Sequence, residues 1–134
     1  MSFFSTKTDI EDESAGILYI LYIRLEDGTE VQKIGVTQRP KIQERVVEIL
    51  ASFFMSFRYF PYCYPKRFKT TSDVYKKEAM MHTYYKEYSH EFEKRFGGST
   101  EFFTIEDLDD LLSVYARVLD GEDVNVPQDN DNGG

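Results

Sequence analysis

Four side chains of different chemistry stand between positions 19 and 78: the phenol of Tyr19, the ammonium of Lys33, the guanidinium of Arg45 and the carboxylate of Glu78. A guanidinium presents a planar fork that matches a phosphate, and an ammonium adds a compact point charge. An ionised carboxylate with its waters suits Mg²⁺, which keeps much of its hydration shell and often takes only one or two protein carboxylates. His82 lies four residues after Glu78, on the same helical face, and that spacing also suits a transition-metal site. Each residue has an ordinary use as well. A strand tyrosine packs, surface Lys and Arg solubilise, a helix Glu is solvated, and a histidine beside a sheet is packed or hydrogen-bonded; His90 carries no signal.

The elements around these residues decide whether they can meet. Gly16 to Ile23 (GILYILYI) is rich in β-branched and aromatic residues and reads as a strand. Glu26-Asp27-Gly28 supplies a turn, and Lys33-Ile34-Gly35-Val36-Thr37 a second strand. Tyr19 and Lys33 therefore sit on paired strands where phenol and ammonium face one pocket, while Tyr22, the other candidate phenol, faces the opposite way by the period of two. Pro40 to Leu50 reads as a helix with Ile42, Val46 and Ile49 as its apolar stripe and Arg45 off that stripe. Gly35 permits a close approach of backbone after the second strand.

Farther along, Phe53 to Phe68 is strongly aromatic, and Arg58 to Tyr64 reads as a third strand, short or at an edge because of Pro61 and Pro65. These aromatics among bases suit the core first and stacking on unpaired nucleotides second. Ser72 or Asp73 is expected to cap a long helix from Val74 to Phe96, with Ala79, Met80, Thr83, Tyr84, Glu87, Tyr88 and Phe92 on its inward stripe and Gly97-Gly98 at its end. Glu101 to Ile105 reads as a last strand. Thr104, with Asp107, is expected to cap a final helix whose face is Leu108, Leu111, Leu112, Tyr115 and Leu119, closed by Gly121. The fold class is α/β: a small central mixed sheet of three strands or slightly more, flanked by helices. A flexible acidic arm (1–14), one domain (15–120) and a disordered acidic tail (121–134) complete the layout.

The totals agree with one folded domain. At 134 residues, with 41% apolar content, 11 Phe and 10 Tyr, the chain can bury a modest core. No apolar run reaches the roughly 20 residues of a membrane span, and no secretory leader opens the sequence, which points to the cytoplasm. The single Cys63 excludes an internal disulfide and a multi-cysteine zinc site. A net charge of −8 argues against a nucleic-acid partner until its distribution is considered. Residues 39–77 carry nine bases against three acids, a net of +6, whereas 101–134 carry Arg117 against ten acids, a net of −9. The middle can face phosphates while the ends cannot.

Gly16-x-x-Tyr19, a short hairpin, Lys33-Ile34-Gly35-x-Thr37, the helix-borne Arg45, Glu78 within Glu-Ala-x-x-His, and Glu101-Phe102-Phe103 together resemble the GIY-YIG nuclease superfamily, in the branch where Lys replaces the first Tyr of YIG. The resemblance covers roughly residues 16 to 117. It departs from the superfamily pattern in placing Tyr19 three positions after Gly16, and it has no counterpart of the late asparagine. It implies a DNA endonuclease using Mg²⁺ or Mn²⁺. Tyr19 would be a general base helped by positive charge that lowers its pKa; Lys33 would favour the phenolate and bind phosphate, Arg45 would stabilise the transition state, and Glu78 would hold the metal. Tyr22 and His82 are possible supporting residues, and the carboxylate of Glu101 is expected to be structural. Gly35, Arg39, Lys41, Lys66, Arg67 and Lys69 are expected along the nucleic acid. The family's spread implies a phage or mobile-element origin, and hence the host cytoplasm.

Two further function classes compete with this one. A catalytically inactive protein on the same scaffold would bind nucleic acid, or use its acidic end as a DNA mimic towards a basic partner. An aromatic-rich interaction module would not bind nucleic acid at all. No second domain selects a target, so a homodimer or a targeting partner is also expected.

Overall fold

The computed structural model describes residues 14–126, so the arm and most of the tail lie outside the described residues. The elements are β1 (Gly16–Arg24), β2 (Glu30–Thr37), α1 (Ile42–Phe57), β3 (Tyr62–Thr71), α2 (Val74–Tyr84), β4 (Phe102–Phe103) and α3 (Leu108–Leu119). The hairpin forms as its residues dictate. Gly28 adopts φ 92°, its N–H donates to the Leu25 carbonyl, and the Asp27 carboxylate accepts from the Thr29 N–H at 2.9 Å.

The four-stranded sheet has the order β3-β1-β2-β4, and every pairing is antiparallel. This corrects the expected mixed sheet. β3 does run the same way as β2, but the α1 connection returns it to the far side of β1, so no two parallel strands are neighbours.

One face of the sheet (Ile17, Tyr19, Leu21, Ile23, Val31) packs on Ile42, Ile49 and Phe53 of α1. The other (Leu18, Ile20, Ile34) packs on Val74, Met81 and Tyr85, and on Leu111, Val114, Tyr115 and Val118 of α3. Tyr115 anchors α3 by donating from its hydroxyl to the Leu18 carbonyl at 2.7 Å. α3 is capped by Asp107 itself, which accepts from the Asp110 N–H at 3.0 Å; Thr104 was the expected cap. Val124 is buried in this core and Asn125 donates to the Met80 carbonyl, so the chain is still tied down beyond residue 121, where the tail was expected to begin.

Further boundaries differ from expectation because packing overrides local pattern, and the last strand is Phe102–Phe103 in place of Glu101 to Ile105. α1 continues to Phe57 and is ended by Arg58 in the left-handed region (φ 66°), whose N–H donates to the Phe54 carbonyl at 2.9 Å. The third strand is consequently Tyr62–Thr71 in place of Arg58 to Tyr64. It is an edge strand, and Pro65 sits where the register slips against Ile20 and Leu21, so its missing N–H falls at a bulge.

The helix expected to run to Phe96 stops at Tyr84. Met81 and Tyr85 belong to one core, whereas Phe92 and Phe96 pack on Phe53 and Phe102 in the other. No straight helix can serve both faces, so the chain makes a 3₁₀ turn at Lys86–Tyr88, a bridge from Ser89 to Phe103, and a passage round the β4 edge. The helix starts at Val74 as expected, but the expected cap is missing: Asp73 has φ 50° and caps nothing with its side chain, and the Val74 N–H is taken by the Ser14 carbonyl. Among the described residues no helix is long and apolar enough to cross a membrane.

Phe53 holds the irregular 89–98 segment through ring contacts with Phe92, Phe96 and Phe102 at 5.4–5.8 Å. Phe53→Ala is expected to cost about 3–5 kcal/mol in urea unfolding and to open residues 89–98 to proteolysis. A loss below about 1 kcal/mol would show that the ring cluster does not hold that segment.

Candidate active site

The hairpin register puts Tyr19 opposite Gly35 and Lys33 opposite Leu21, so Tyr19 and Lys33 share the face towards α1. Tyr19 is fully buried, and its ring lies across Gly35; a Cβ there would come within 2.5 Å of the phenol oxygen. Gly35 thus makes room for the phenol.

Arg45, on the first turn of α1, donates from Nε to the Tyr19 hydroxyl at 3.1 Å and from Nη1 to Glu48 at 3.1 Å. Glu48 also accepts from Nε of Arg39 at 3.0 Å, so one carboxylate holds both arginines. Lys33 is almost wholly buried. Its ammonium is paired with Glu101 at 2.5 Å and lies over the Phe102 ring, with Gly98 folded beside it. Burial pulls the Lys33 pKa down, and the Glu101 carboxylate opposes that pull.

Glu78 approaches from the other side of the sheet. β4 pairs only with Gln32 and Lys33, which leaves the rest of the β2 edge without a strand neighbour among the described residues. His82 of α2 fills the next position, its Nε2 donating to the Ile34 carbonyl at 2.7 Å. One helical turn earlier, Glu78 comes near enough to Tyr19, Lys33, Arg45 and Glu101 for their charges to interact. Burial first, and Glu101 second, push its carboxyl up to about 7.

Tyr19 and Arg45 are thus in contact, Lys33 is in contact with Glu101, and Glu78 lies within electrostatic reach of all four. The positive charge expected to lower the phenol's pKa is outweighed: burial raises Tyr19 to about 12 despite Arg45. Tyr22 is absent from the cluster, since it faces the other side and packs on Tyr62 and Tyr64.

His82 adjoins Glu78, 3.9 Å between Nε2 and the carboxylate, but Nε2 is committed to the sheet edge. Among the described residues no three His, Cys, Asp or Glu are grouped to hold a metal. The donor set thus fits a hydrated hard cation on Glu78, with Glu101 nearby, and does not fit a multi-ligand transition-metal centre.

Of the remaining basic residues, Arg39 reaches the cluster through Glu48, while Lys41 lines an open hollow with Ile17 and Phe68 at the start of α1; Lys69 pairs with Leu18 and so belongs to the other face of the sheet. Arg67 pairs with Ile20 and so points to the opposite face. A wide hollow between Thr83 to Tyr88 and Thr104 to Asp110 lies on that opposite side. Its mouth carries Glu87, Glu106, Asp107 and Asp110, which repel phosphate.

Residues 16–119 match the T5orf172 domain. The chain belongs to that family. T5orf172 domains stand among the GIY-YIG/HNH-like nuclease-associated families. No curated protein and no solved structure matches the chain. The matched span of the T5orf172 domain contains all five clustered residues, and it ends at the last residue of α3.

Sequence reasoning passed over Glu48 and gave Glu101 a structural part. Glu48 was accessible as the residue three positions after Arg45 on one helix. Glu101 was not, because its tie to Lys33 depends on β4 pairing with β2.

Two expectations test this geometry. Gly35→Ala should cost about 1–3 kcal/mol by overpacking, and much less when Tyr19→Ala removes the ring, as read from a double-mutant cycle; additive losses would contradict the close approach. In EDTA, Glu78→Gln should stabilise the metal-free protein at pH 8. The raised carboxyl gives stability that is complete below pH 4.5 and lost as pH rises through about 7. Gln escapes that loss, so its advantage, on the order of 1–2 kcal/mol for a partly buried group, should vanish near pH 4. A constant advantage across pH would assign the effect to something other than ionisation.

Proposed function

We propose that this T5orf172 domain is a GIY-YIG-type endonuclease that hydrolyses DNA phosphodiester bonds with Mg²⁺ or Mn²⁺. What supports the reading is that Arg45 holds the Tyr19 phenol while Lys33 and Glu78, from β2 and α2, lie within electrostatic reach of that pair. Phosphodiester hydrolysis needs an acceptor for the proton of water, cations where the phosphorane gathers negative charge, and help for the leaving oxygen.

Arg45 turns its fork towards the phosphate while its Nε fixes the phenol oxygen. Lys33 adds positive charge in a dry setting, where it acts more strongly than in water. Tyr19 accepts the proton from water once its own has been lost, and because burial holds its pKa near 12 the reactive phenolate becomes more abundant with every rise in pH. Glu78 would hold the divalent ion, which when bound supplies Lewis-acid charge to the leaving oxygen.

A second reading has its own observation. Glu48 pairs with both Arg39 and Arg45, and Glu101 with Lys33, so the cations are already partly neutralised. That suits a binding protein which has lost turnover, its acidic end directed at a basic partner.

Plasmid nicking separates the two. The parent should nick supercoiled DNA with Mg²⁺ or Mn²⁺, and Tyr19→Phe, Arg45→Ala and Glu78→Ala should each lose about 100-fold or more. The parent rate should climb with pH between 7 and 9, and Tyr19→Phe should flatten that rise. An inert parent whose variants all bind DNA equally would leave the binding reading in place.

A further inference from the structure

We propose that the sheet face turned away from the Tyr19 pocket, at the β1–β3 corner, binds single-stranded nucleic acid by stacking bases on tyrosines and pairing phosphates with the cations of β3. The inward row Leu18, Ile20 begins in the core beneath α2 and α3. The next residue of that row, Tyr22, has left the core and is only half-buried.

Tyr22 pairs with Tyr64 and Arg24 with Tyr62, so these four side chains form one patch. Their rings are 5.2–6.2 Å apart, and Arg24 lies over Tyr22 and Tyr62. Tyr62 remains 59% and Tyr64 37% exposed, which is a large apolar surface to leave in water without a partner.

The same face of β3 continues past the bulge to Arg67 and Lys69, which pair with Ile20 and Leu18. Both are exposed, and neither has an acidic partner among the described residues. Among the described residues Arg67 donates to the Lys66 carbonyl. Aromatic rings at one end and unpaired cations at the other thus occupy one strand, over roughly 20 Å.

Charge complementarity selects the occupant. In a chain of net charge −8, unneutralised cations gathered beside exposed rings match a polyanion with flat faces. Unstacked bases can use those rings, whereas a duplex hides its base faces. An acidic protein would match the cations but has no particular use for a row of tyrosines. The patch is separate from the Arg45 cluster, so its occupancy does not depend on hydrolysis.

Anisotropy of fluorescein-labelled oligo-dT, oligo-rU and a duplex of equal length, in EDTA with the full chain, tests the proposal. The single strands should bind at least several-fold tighter than the duplex, and comparison of dT with rU distinguishes DNA from RNA. Tyr62→Ala with Tyr64→Ala should weaken single-strand binding about tenfold or more. Tyr62→Phe with Tyr64→Phe should keep it. Arg67→Ala and Lys69→Ala should each reduce the salt slope by about 0.7; these exposed positions keep the test valid if the double alanine variant unfolds. Equal affinity for the duplex, or tyrosine-to-alanine, Arg67→Ala and Lys69→Ala variants that all bind like the parent, would overturn it.

Discussion

The register of the β1–β2 hairpin is the constraint on which the remaining arrangement rests. Tyr19 faces Gly35 and Lys33 faces Leu21, so phenol and ammonium emerge on one side. A slip of one residue would exchange the two faces of the strand, sending Tyr19 into the α3 core and Leu18 under Arg45. The turn at Gly28 and the missing side chain at Gly35 both oppose that slip. Gly35 is the more demanding, because a buried phenol oxygen occupies the space where any other residue would place a carbon.

Burial gives the cluster its electrical character. Lys33 and Glu78 are both driven towards their neutral forms, and Tyr19 is held neutral. Carboxylates offset part of this: Glu101 favours the charged lysine, while Glu48 keeps Arg45 in register with the phenol. A buried ion pair such as Lys33 with Glu101 contributes little net stability, since desolvation consumes most of the attraction, yet loss of either member strands a charge. The pair therefore fixes geometry more than it strengthens the fold. It ties β2 to the turn before β4, which joins the two ends of the domain at the cluster.

Much of this was legible in sequence because it was local. Asp27-Gly28 announced the hairpin, period two put Tyr19 with Lys33 and against Tyr22, and Pro65 marked β3 as an edge. What the sequence hid depended on distant segments. Helical periodicity runs on past Tyr84 towards Phe92, but only the two separate cores reveal why the helix must stop. The parity of the sheet was concealed likewise, since it turns on β3 returning beside β1. The pKa of Tyr19 was misjudged in sign because nearby cations can be inferred from motifs while depth of burial cannot. Glu101 gained its partner only through a two-residue strand, too short for any periodic signal.

β3 leaves a row of backbone donors and acceptors along the rim of the sheet, and such rims ordinarily recruit other chains. Here Pro65 lacks the donor, the adjoining bulge throws Lys66 out of register, and charged residues follow at 67 and 69. An incoming strand would find its hydrogen-bond ladder interrupted midway and a line of like charges beyond. Among the described residues this border is thus a poor template for edge-to-edge pairing, even though the central strand beside it is strongly apolar.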